Sequence, residues 1–205
     1  MTPRPTLLSR LVHRLLVALY RRRGYRFEGG HPGVSKCVVT GAPHTSNWDF
    51  VFVLGAVEQL GLKPAFIGKH TLFKWPMTRF MRDMGGIAVD RGKRAKFVDQ
   101  VAAAFAASDE LALVIAPEGS RGSQGQWKSG FYHIALSAGV PIVPAWVDQE
   151  RRLGGIGEPI WPTGDYRADL LRIAEFYRSK RPDCARFERL AQSLREDGGQ
   201  GEGMS

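Results

Sequence analysis

The chain has 205 residues, enough for one domain with a sizeable core and short for two. Hydrophobic residues make up 43% and charged residues 24%, a balance that excludes a disordered chain. The formal net charge of +9 indicates an anionic partner, which could be nucleic acid, anionic lipid or an acidic protein.

The cysteine content argues against a secreted protein. Cys37 and Cys184 lie far apart and lack metal-type spacing, so neither a disulfide framework nor a zinc-binding motif is expected. A reducing, cytoplasmic setting is therefore favoured.

Residues 1–26 form a basic segment in which no acidic residue precedes Glu28. Its apolar stripe comprises Leu7, Leu8, Leu11, Val12, Leu15, Leu16 and Leu19. Arginines interrupt this stripe long before the ~20 apolar residues that span a bilayer, and the cleavage site of a signal peptide is absent. The segment is predicted to be an amphipathic helix that lies on a membrane surface. The alternative is a helix that packs its leucines on the domain.

Residues 27–196 alternate between strand-like and helical patterns. The predicted strands are "KCVVTGA", "KPAFIGK", "GIAVDR", "ELALVIAP" and "PIVPAWV", and helical patterns fill the gaps between them. This order predicts an α/β fold with a mostly parallel or mixed β-sheet flanked by helices on both faces. Two more helices follow, and the glycine-rich tail, residues 197–205, is expected to be flexible.

Polar residues stand at the ends of four predicted strands. In chain order they are His44, Lys69, Arg91 and Glu118. Because open α/β sheets bind ligands beyond the carboxyl ends of their strands, these side chains are expected to share one cleft.

The motif "HTSNWD" follows the first predicted strand. If Ser46 or Asn47 caps the next helix, His44 lies in the loop before it. From there the imidazole can turn toward Asp49, whose carboxylate would fix the tautomer and leave the other ring nitrogen as a general base. The alternative is structural, with Asp49 complementing the helix dipole and His44 an ordinary loop residue. Without a G-x-S-x-G or metal-binding pattern, direct attack by an acceptor substrate is indicated.

A second motif, "APEGSRGSQGQWKSG", follows the fourth predicted strand. Glu118 and Arg121 are separated by small residues, and the glycines allow a ligand to approach the backbone closely. Arginine in such a loop suits bidentate contact with a phosphate, although a glycine-rich turn with a solvated arginine would look the same.

Together the motifs resemble those of the glycerolipid acyltransferase family, which includes the lysophosphatidate (1-acylglycerol-3-phosphate) acyltransferases. The family's four blocks appear in order as "HTSNWD", "GGIAVDR", "EGSR" and "VPIVPA", within residues 36–147. Two departures stand out: Ser120 replaces the commoner Thr, and Pro43 precedes the histidine where many members have Asn.

The resemblance implies a role for each matching residue. His44 would take the proton from the acceptor hydroxyl, and Asp49 would orient it. The hydroxyl would attack an acyl thioester directly, so no acyl-enzyme, metal or cofactor is expected. The substrate-binding residues would be Lys69, Arg91, Glu118, Gly119, Ser120 and Arg121, with Arg121 on the phosphate. Pro141 and Pro144 would shape the acyl pocket.

The leading hypothesis is therefore an O-acyltransferase that converts lysophosphatidate to phosphatidate, with acyl-carrier protein or coenzyme A carrying the acyl group. One alternative keeps the chemistry but uses another lysophospholipid or a lyso-ornithine lipid. The other is a non-catalytic basic protein that binds membranes or nucleic acid with a relic site. The sequence argues against it, because it retains His44, Asp49, Glu118 and Arg121. No RNA- or DNA-binding motif accompanies the positive charge. The enzyme is expected at the cytoplasmic face of the membrane as a peripheral protein, with "TLFKWPMTRFMRDMG" as a further interfacial candidate.

Overall fold

A computed structural model describes residues 5–44, 46, 48–89, 94–119 and 127–199. The helices are α1 (Leu7–Arg23), α2 (Trp48–Gln59), α3 (Thr78–Asp83), α4 (Arg94–Ala106), α5 (Gly130–Ala138), α6 (Tyr166–Lys180) and α7 (Ala185–Gly199). The strands are β1 (Arg26–Glu28), β2 (Lys36–Ala42), β3 (Pro64–Lys69), β4 (Gly86–Val89), β5 (Leu111–Ile115), β6 (Ile142–Asp148) and β7 (Leu153–Ile156). A short 3₁₀ helix, His70–Phe73, follows β3.

The strands form one seven-stranded sheet in the order β1-β7-β6-β2-β5-β3-β4. Only the β6–β7 pair is antiparallel in the described sheet, so β6, β2, β5, β3 and β4 all run in one direction. These are the five strands that the sequence predicts. The prediction of an α/β fold with a mostly parallel or mixed sheet is confirmed.

Helices cover both faces of the sheet because the side chains of each strand alternate between them. In β2, Val38 and Ala42 join the large core cluster that contains Phe105 of α4, Phe131 of α5 and Tyr177 of α6. On the opposite face, α1 and α2 form their own cluster against Val147 of β6. The predicted layer arrangement is therefore present.

Helix α1 is attached to the domain at two places. Near its C-terminal end, the ring of Tyr20 lies so close to Gly55 of α2 that a Cβ atom there would be 2.0 Å from it. Near its N-terminus, the Thr6 N–H and the Ser9 hydroxyl both donate to Asp83 Oδ2 at 2.8 Å. These contacts fix which face of α1 turns toward the protein.

Some elements differ from the sequence-based expectation. Strands β1 and β7 were not predicted, because three- and four-residue strands carry too little alternation to be recognised. Helix α7 continues to Gly199, three residues into the segment predicted to be a flexible tail. Among the described residues, no helix is long and apolar enough to cross a membrane.

Candidate active site

The site lies at the edge where the carboxyl ends of three neighbouring parallel strands meet. His44 follows the end of β2, Glu118 follows β5, and Gln149 is the first residue after β6. Because β2 lies between β5 and β6 in the sheet, the structure brings these three residues to one place.

His44 and Asp49 form a hydrogen-bonded pair. His44 Nδ1 is 3.0 Å from Asp49 Oδ2, which also accepts the Ser46 N–H at 2.9 Å. An ionised carboxylate only accepts hydrogen bonds, so Nδ1 carries the proton and Nε2 is the basic nitrogen. The His44 side chain is 30% exposed and that of Asp49 only 10%, so the imidazole can be reached from solvent while its carboxylate partner is largely buried.

The loop between β2 and α2 makes this pairing possible. The Ser46 hydroxyl accepts the N–H of Trp48 at 3.2 Å, as a residue that caps the start of a helix does. Asp49 therefore lies in the first turn of α2 and His44 in the preceding loop. Because His44 lies outside the helix, its side chain can point toward Asp49, which would not be possible if both residues were helical.

Gln149 supports Asp49 from the neighbouring strand. Its Nε2 donates to Asp49 Oδ1 at 2.8 Å, and its Oε1 accepts a hydrogen bond from the Tyr25 hydroxyl. Neither residue was predicted from the sequence. The position of Gln149 directly after a buried strand was a usable signal, since the same rule identified His44.

Glu118 is a buried carboxylate beside His44. Its side chain is 0% exposed, and its Oε2 accepts from Arg186 Nη1 at 3.2 Å and from the His44 N–H at 3.4 Å. None of the described residues donates a hydrogen bond to Glu118 Oε1. Burial raises the pKa of Glu118, and Arg186 and the His44 N–H oppose this effect. Arg186, in the first turn of α7, was also not predicted as a site residue.

Gly119 follows Glu118 with a φ of +71°, a conformation that favours glycine. A Cβ atom there would lie 2.7 Å from Cε of Lys128, so a side chain at this position would also displace the end of this lysine. The positive φ is the stronger reason for glycine at the start of the glycine-rich segment.

A cavity of about 180 Å³ lies between the sheet and α2. Among the described residues that line it, all except His44 and Asp49 are apolar or glycine. They include Phe52 and Val53 of α2, Phe66 of β3, and Trp146 and Val147 of β6. Pro141 and Pro144 do not line this cavity, although the residues that directly follow Pro144 do.

The structure describes only one of the remaining predicted site residues, and only in part. Lys69 is the last residue of β3, and only its backbone is described. Arg91, Ser120 and Arg121 lie outside the described residues. Across the described ranges, no group of three or more His, Cys, Asp or Glu residues could hold a metal ion.

Comparison with known proteins gives consistent matches. The sequence model of a family described as Acyltransferase matches residues 29–148. A 1-acyl-sn-glycerol-3-phosphate acyltransferase of Salmonella typhimurium is 31% identical over 113 residues, which cover 52% of this chain and 44% of the relative. Another, of Haemophilus influenzae, is 30% identical over 145 residues, covering 65% of this chain and 58% of the relative. The chain spans about half the length of these relatives.

Proposed function

The chain belongs to the acyltransferase family, and from this premise we propose that it acylates the free hydroxyl of 1-acyl-sn-glycerol 3-phosphate to give phosphatidate. Acyl-carrier protein or coenzyme A would supply the acyl group as a thioester. The relatives' names suggest the acceptor. The observation that carries the proposal is the His44–Asp49 pair in the wall of an apolar cavity.

The chemistry needs one base and no covalent enzyme intermediate. His44 Nε2 takes the proton of the acceptor hydroxyl as its oxygen attacks the thioester carbonyl carbon. The new C–O bond forms, the C–S bond breaks, and the proton on His44 passes to the departing thiolate. Asp49 stabilises the imidazolium that exists between these two proton transfers.

The acceptor phosphate would bind next to this base. Glu118 accepts a hydrogen bond from the His44 backbone N–H, so the residue that begins the glycine-rich motif lies beside the loop that carries the imidazole. In that segment we assign phosphate contact to Arg121, supported by the Gly119 and Ser120 backbone and by Lys69 and Arg91. Glu118 itself is fully buried and bonded within the protein, which suits it to anchoring this segment.

The apolar cavity would hold part of the acyl chain. It reaches the His44–Asp49 pair, and its other lining atoms offer hydrocarbon contacts. Gly41 lines it, and a Cβ atom at this position would meet no atom within 4 Å. Replacing Gly41→Val should therefore place a side chain in the cavity and shift the preference toward shorter acyl chains. Unchanged chain-length preference in a folded Gly41→Val protein would place the acyl chain elsewhere.

An acyl-transfer assay with purified protein tests the proposed reaction. Lysophosphatidate, other lysophospholipids and lyso-ornithine lipid would each be offered with acyl-carrier protein and coenzyme A donors. His44→Ala should abolish turnover, and Asp49→Asn should lower kcat by about 10²- to 10⁴-fold. Arg121→Ala should chiefly raise KM for the acceptor. Wild-type turnover by His44→Ala would refute the general-base role, and turnover only on acceptors without phosphate would replace lysophosphatidate.

We further propose that α1 docks the enzyme on an anionic lipid surface, since its exposed face is apolar and exposed arginines lie beside that face. Leu7, Leu8, Leu11 and Leu15 are 78%, 61%, 65% and 58% exposed. On a helix of 3.6 residues per turn they fall within about 100° of one another, nearly opposite the packed side that carries Ser9, Leu16 and Tyr20. Arg10 and Arg14 lie along one side of the leucines and are exposed. One side of α1 packs on the domain and the other faces solvent, so the structure is compatible with both interpretations of the sequence, membrane contact and packing.

Vesicle co-sedimentation tests the lipid-binding proposal. Each exposed leucine that leaves water contributes about 1.5 kcal/mol, so Leu8→Gln/Leu11→Gln should weaken partitioning into anionic vesicles by about 100-fold. Leu136→Gln is the matched control, since Leu136 is 43% exposed on α5. Equal partitioning of the double variant and the wild type would remove α1 from the membrane contact.

A further inference from the structure

The two oxygens of Asp49 have different partners. Oδ2 faces His44 Nδ1 and accepts the Ser46 N–H, whereas Oδ1 accepts Gln149 Nε2 at 2.8 Å. A carboxylate held at both oxygens is restrained against rotation about its Cβ–Cγ bond. By fixing Oδ1, the hydrogen bond to Gln149 also restricts the direction in which Oδ2 points.

The chemistry of the groups fixes the orientation of the Gln149 amide. Asp49 can only accept hydrogen bonds, so the amide nitrogen must face it and the amide oxygen must face Tyr25. The Tyr25 hydroxyl must then donate. Burial raises the pKa of Tyr25, with Asp49 acting in the same direction and Arg23 and Arg152 opposing, so the phenol keeps its proton at neutral pH. Tyr25 therefore donates to Gln149, and Gln149 donates to the Asp49 carboxylate.

The Tyr25 ring is held by an aromatic cluster. It stacks on Tyr20 of α1 with centroids 5.5 Å apart and an interplanar angle of 4°, and it meets Phe52 of α2 edge-on at 5.3 Å. Such contacts fix an aromatic ring in position. The position of the Tyr25 hydroxyl, which orients Gln149, is therefore fixed by side chains of α1 and α2.

The turn that carries Gln149 is also restrained. Asp148 Oδ1 accepts the N–H groups of Glu150 at 3.0 Å and Arg151 at 2.9 Å, which closes the turn after β6. Arg181, at the end of α6, lies 3.5 Å from Asp148 Oδ2 and donates to the Val147 carbonyl. The backbone of Gln149 is therefore held in place at the end of β6.

We propose that Gln149, oriented by Tyr25, is a positioning residue that aims the Asp49 carboxylate at His44. The inference rests on the proposed acyl transfer. A neutral amide suits this role because it holds the carboxylate without neutralising it, whereas a lysine or arginine would draw the negative charge away from the imidazolium. Gln149 follows the segment matched by the family model, and Tyr25 precedes it.

Two replacements of Gln149 separate its geometric role from its charge. Gln149→Met keeps the length and removes the hydrogen bond, and kcat should fall about 10- to 100-fold with little change in either KM. Gln149→Glu places a second carboxylate beside Asp49 and favours the imidazolium, so the acid limb of the kcat/KM profile should move up by about one pH unit. Tyr25→Phe should reproduce part of the Gln149→Met effect.

The pH profile reports on a defined set of charges around His44. Among the described residues, the titratable and charged groups linked to His44, directly or through a chain of partners, are Asp49, Glu118, Arg186, Tyr25, Arg23 and Arg152. Gln149→Glu leaves every one of these groups in place. A shift seen in Gln149→Glu is therefore attributable to the introduced carboxylate.

A readout that does not need turnover separates this inference from the proposed function. Nitrogen-15 NMR of the His44 ring, assigned with His44→Ala, reports which ring nitrogen carries the proton. The wild type should show the Nδ1–H tautomer, and Gln149→Met should reduce its population. A wild type without acyl transfer, but with this response, would refute the function and keep the positioning role.

A second tyrosine–glutamine pair in the same aromatic cluster provides a matched control. The Tyr20 hydroxyl donates to Gln59 Oε1 at 3.2 Å. Gln59→Met removes this hydrogen bond but leaves the stacked rings of Tyr20 and Tyr25 in place, so it should leave kcat, the pH profile and the His44 tautomer unchanged. Wild-type kcat and tautomer in Gln149→Met, or an equal loss in Gln59→Met, would overturn the inference. Urea unfolding of each variant at neutral pH identifies any that fail to fold, in which case Gln149→Glu decides.

Discussion

Removing Arg186 should destabilise the protein in a way that depends on pH. The Glu118 side chain is 0% exposed, and Arg186 Nη1 lies 3.2 Å from its Oε2. The change Arg186→Met keeps much of the side-chain volume but leaves the carboxylate with the His44 N–H at 3.4 Å as its remaining described donor. Glu118 would then either stay ionised without its charged partner or bind a proton.

Two limits bracket the loss. The lower limit is the ordinary contribution of a partly exposed pair, about 1 kcal/mol, because the Arg186 side chain is 29% exposed. The upper limit is set by protonation. Keeping a glutamic acid neutral at about pH 7, when its unfolded pKa is about 4.3, costs about 1.4 kcal/mol per pH unit, or about 3.7 kcal/mol. The expected loss at about pH 7 therefore lies between about 1 and 3.7 kcal/mol.

The direction of the pH dependence follows from the pKa. Burial already raises the pKa of Glu118, and loss of Arg186 removes the main opposing charge. A raised folded-state pKa means that the native protein binds the proton more tightly than the unfolded chain does. The stability contributed by the protonated acid is present below the unfolded pKa and is lost as the pH rises through the folded pKa. The difference between Arg186→Met and the wild type should shrink as the pH falls toward about 4.3.

Urea unfolding between about pH 7 and pH 4.5 measures this difference. Arg186→Met in a Glu118→Gln background should cost less than about 1 kcal/mol at every pH, because no buried charge remains to be compensated. Arg195→Met is the matched control on the same helix, since Arg195 pairs with the exposed Glu175. A pH-independent loss, or an equal loss in the Glu118→Gln background, would refute the electrostatic explanation.

Two further predictions concern the attachment of α1. Gly55→Ala should destabilise the protein by about 1 to 3 kcal/mol in chemical unfolding, because the new methyl would overlap the Tyr20 ring. Gly130→Ala, whose Cβ would meet no atom within 4 Å, should be neutral or stabilising by up to about 1 kcal/mol, and an equal loss in both would contradict the packing argument. Desolvation would raise the pKa of Asp83, but hydrogen bonds from Thr6 and Ser9 outweigh it and lower this pKa. The ionised Asp83 therefore contributes stability above its unfolded pKa of about 3.9, and this stability is lost as the pH falls through the lowered folded-state pKa. Asp83→Asn should therefore flatten the acid limb of the stability curve; an unchanged limb would exclude Asp83 as its source.

The sheet and one half of the site were predictable because local patterns encode them. β2, β5 and β6 are apolar runs bounded by glycine, proline or charged residues, and the parallel arrangement follows from their alternation with helices. His44 and Asp49 form a recognisable motif because both lie within one strand–loop–helix unit. Local spacing is sufficient to predict such a pair.

The supporting residues were not predictable in the same way. Tyr25, Gln149 and Arg186 carry no motif, and they reach the site through the order of strands in the sheet and the packing of α7. The apolar cavity beside His44 likewise depends on the gap between α2 and the sheet, and Ala145, Trp146 and Val147 are the residues of β6 that line it. Long-range packing decides these contacts, and a single sequence does not reveal it.

The position of these supports has a consequence for protein engineering. The segment shared with the family, residues 29–148, begins four residues after Tyr25 and ends one residue before Gln149, with Arg186 further along the chain. A chimera that exchanged only this segment between relatives would transfer every motif but would combine it with foreign flanks. Crossover points for such grafts should therefore lie before the tyrosine and beyond the final helix, so that the whole set is inherited together.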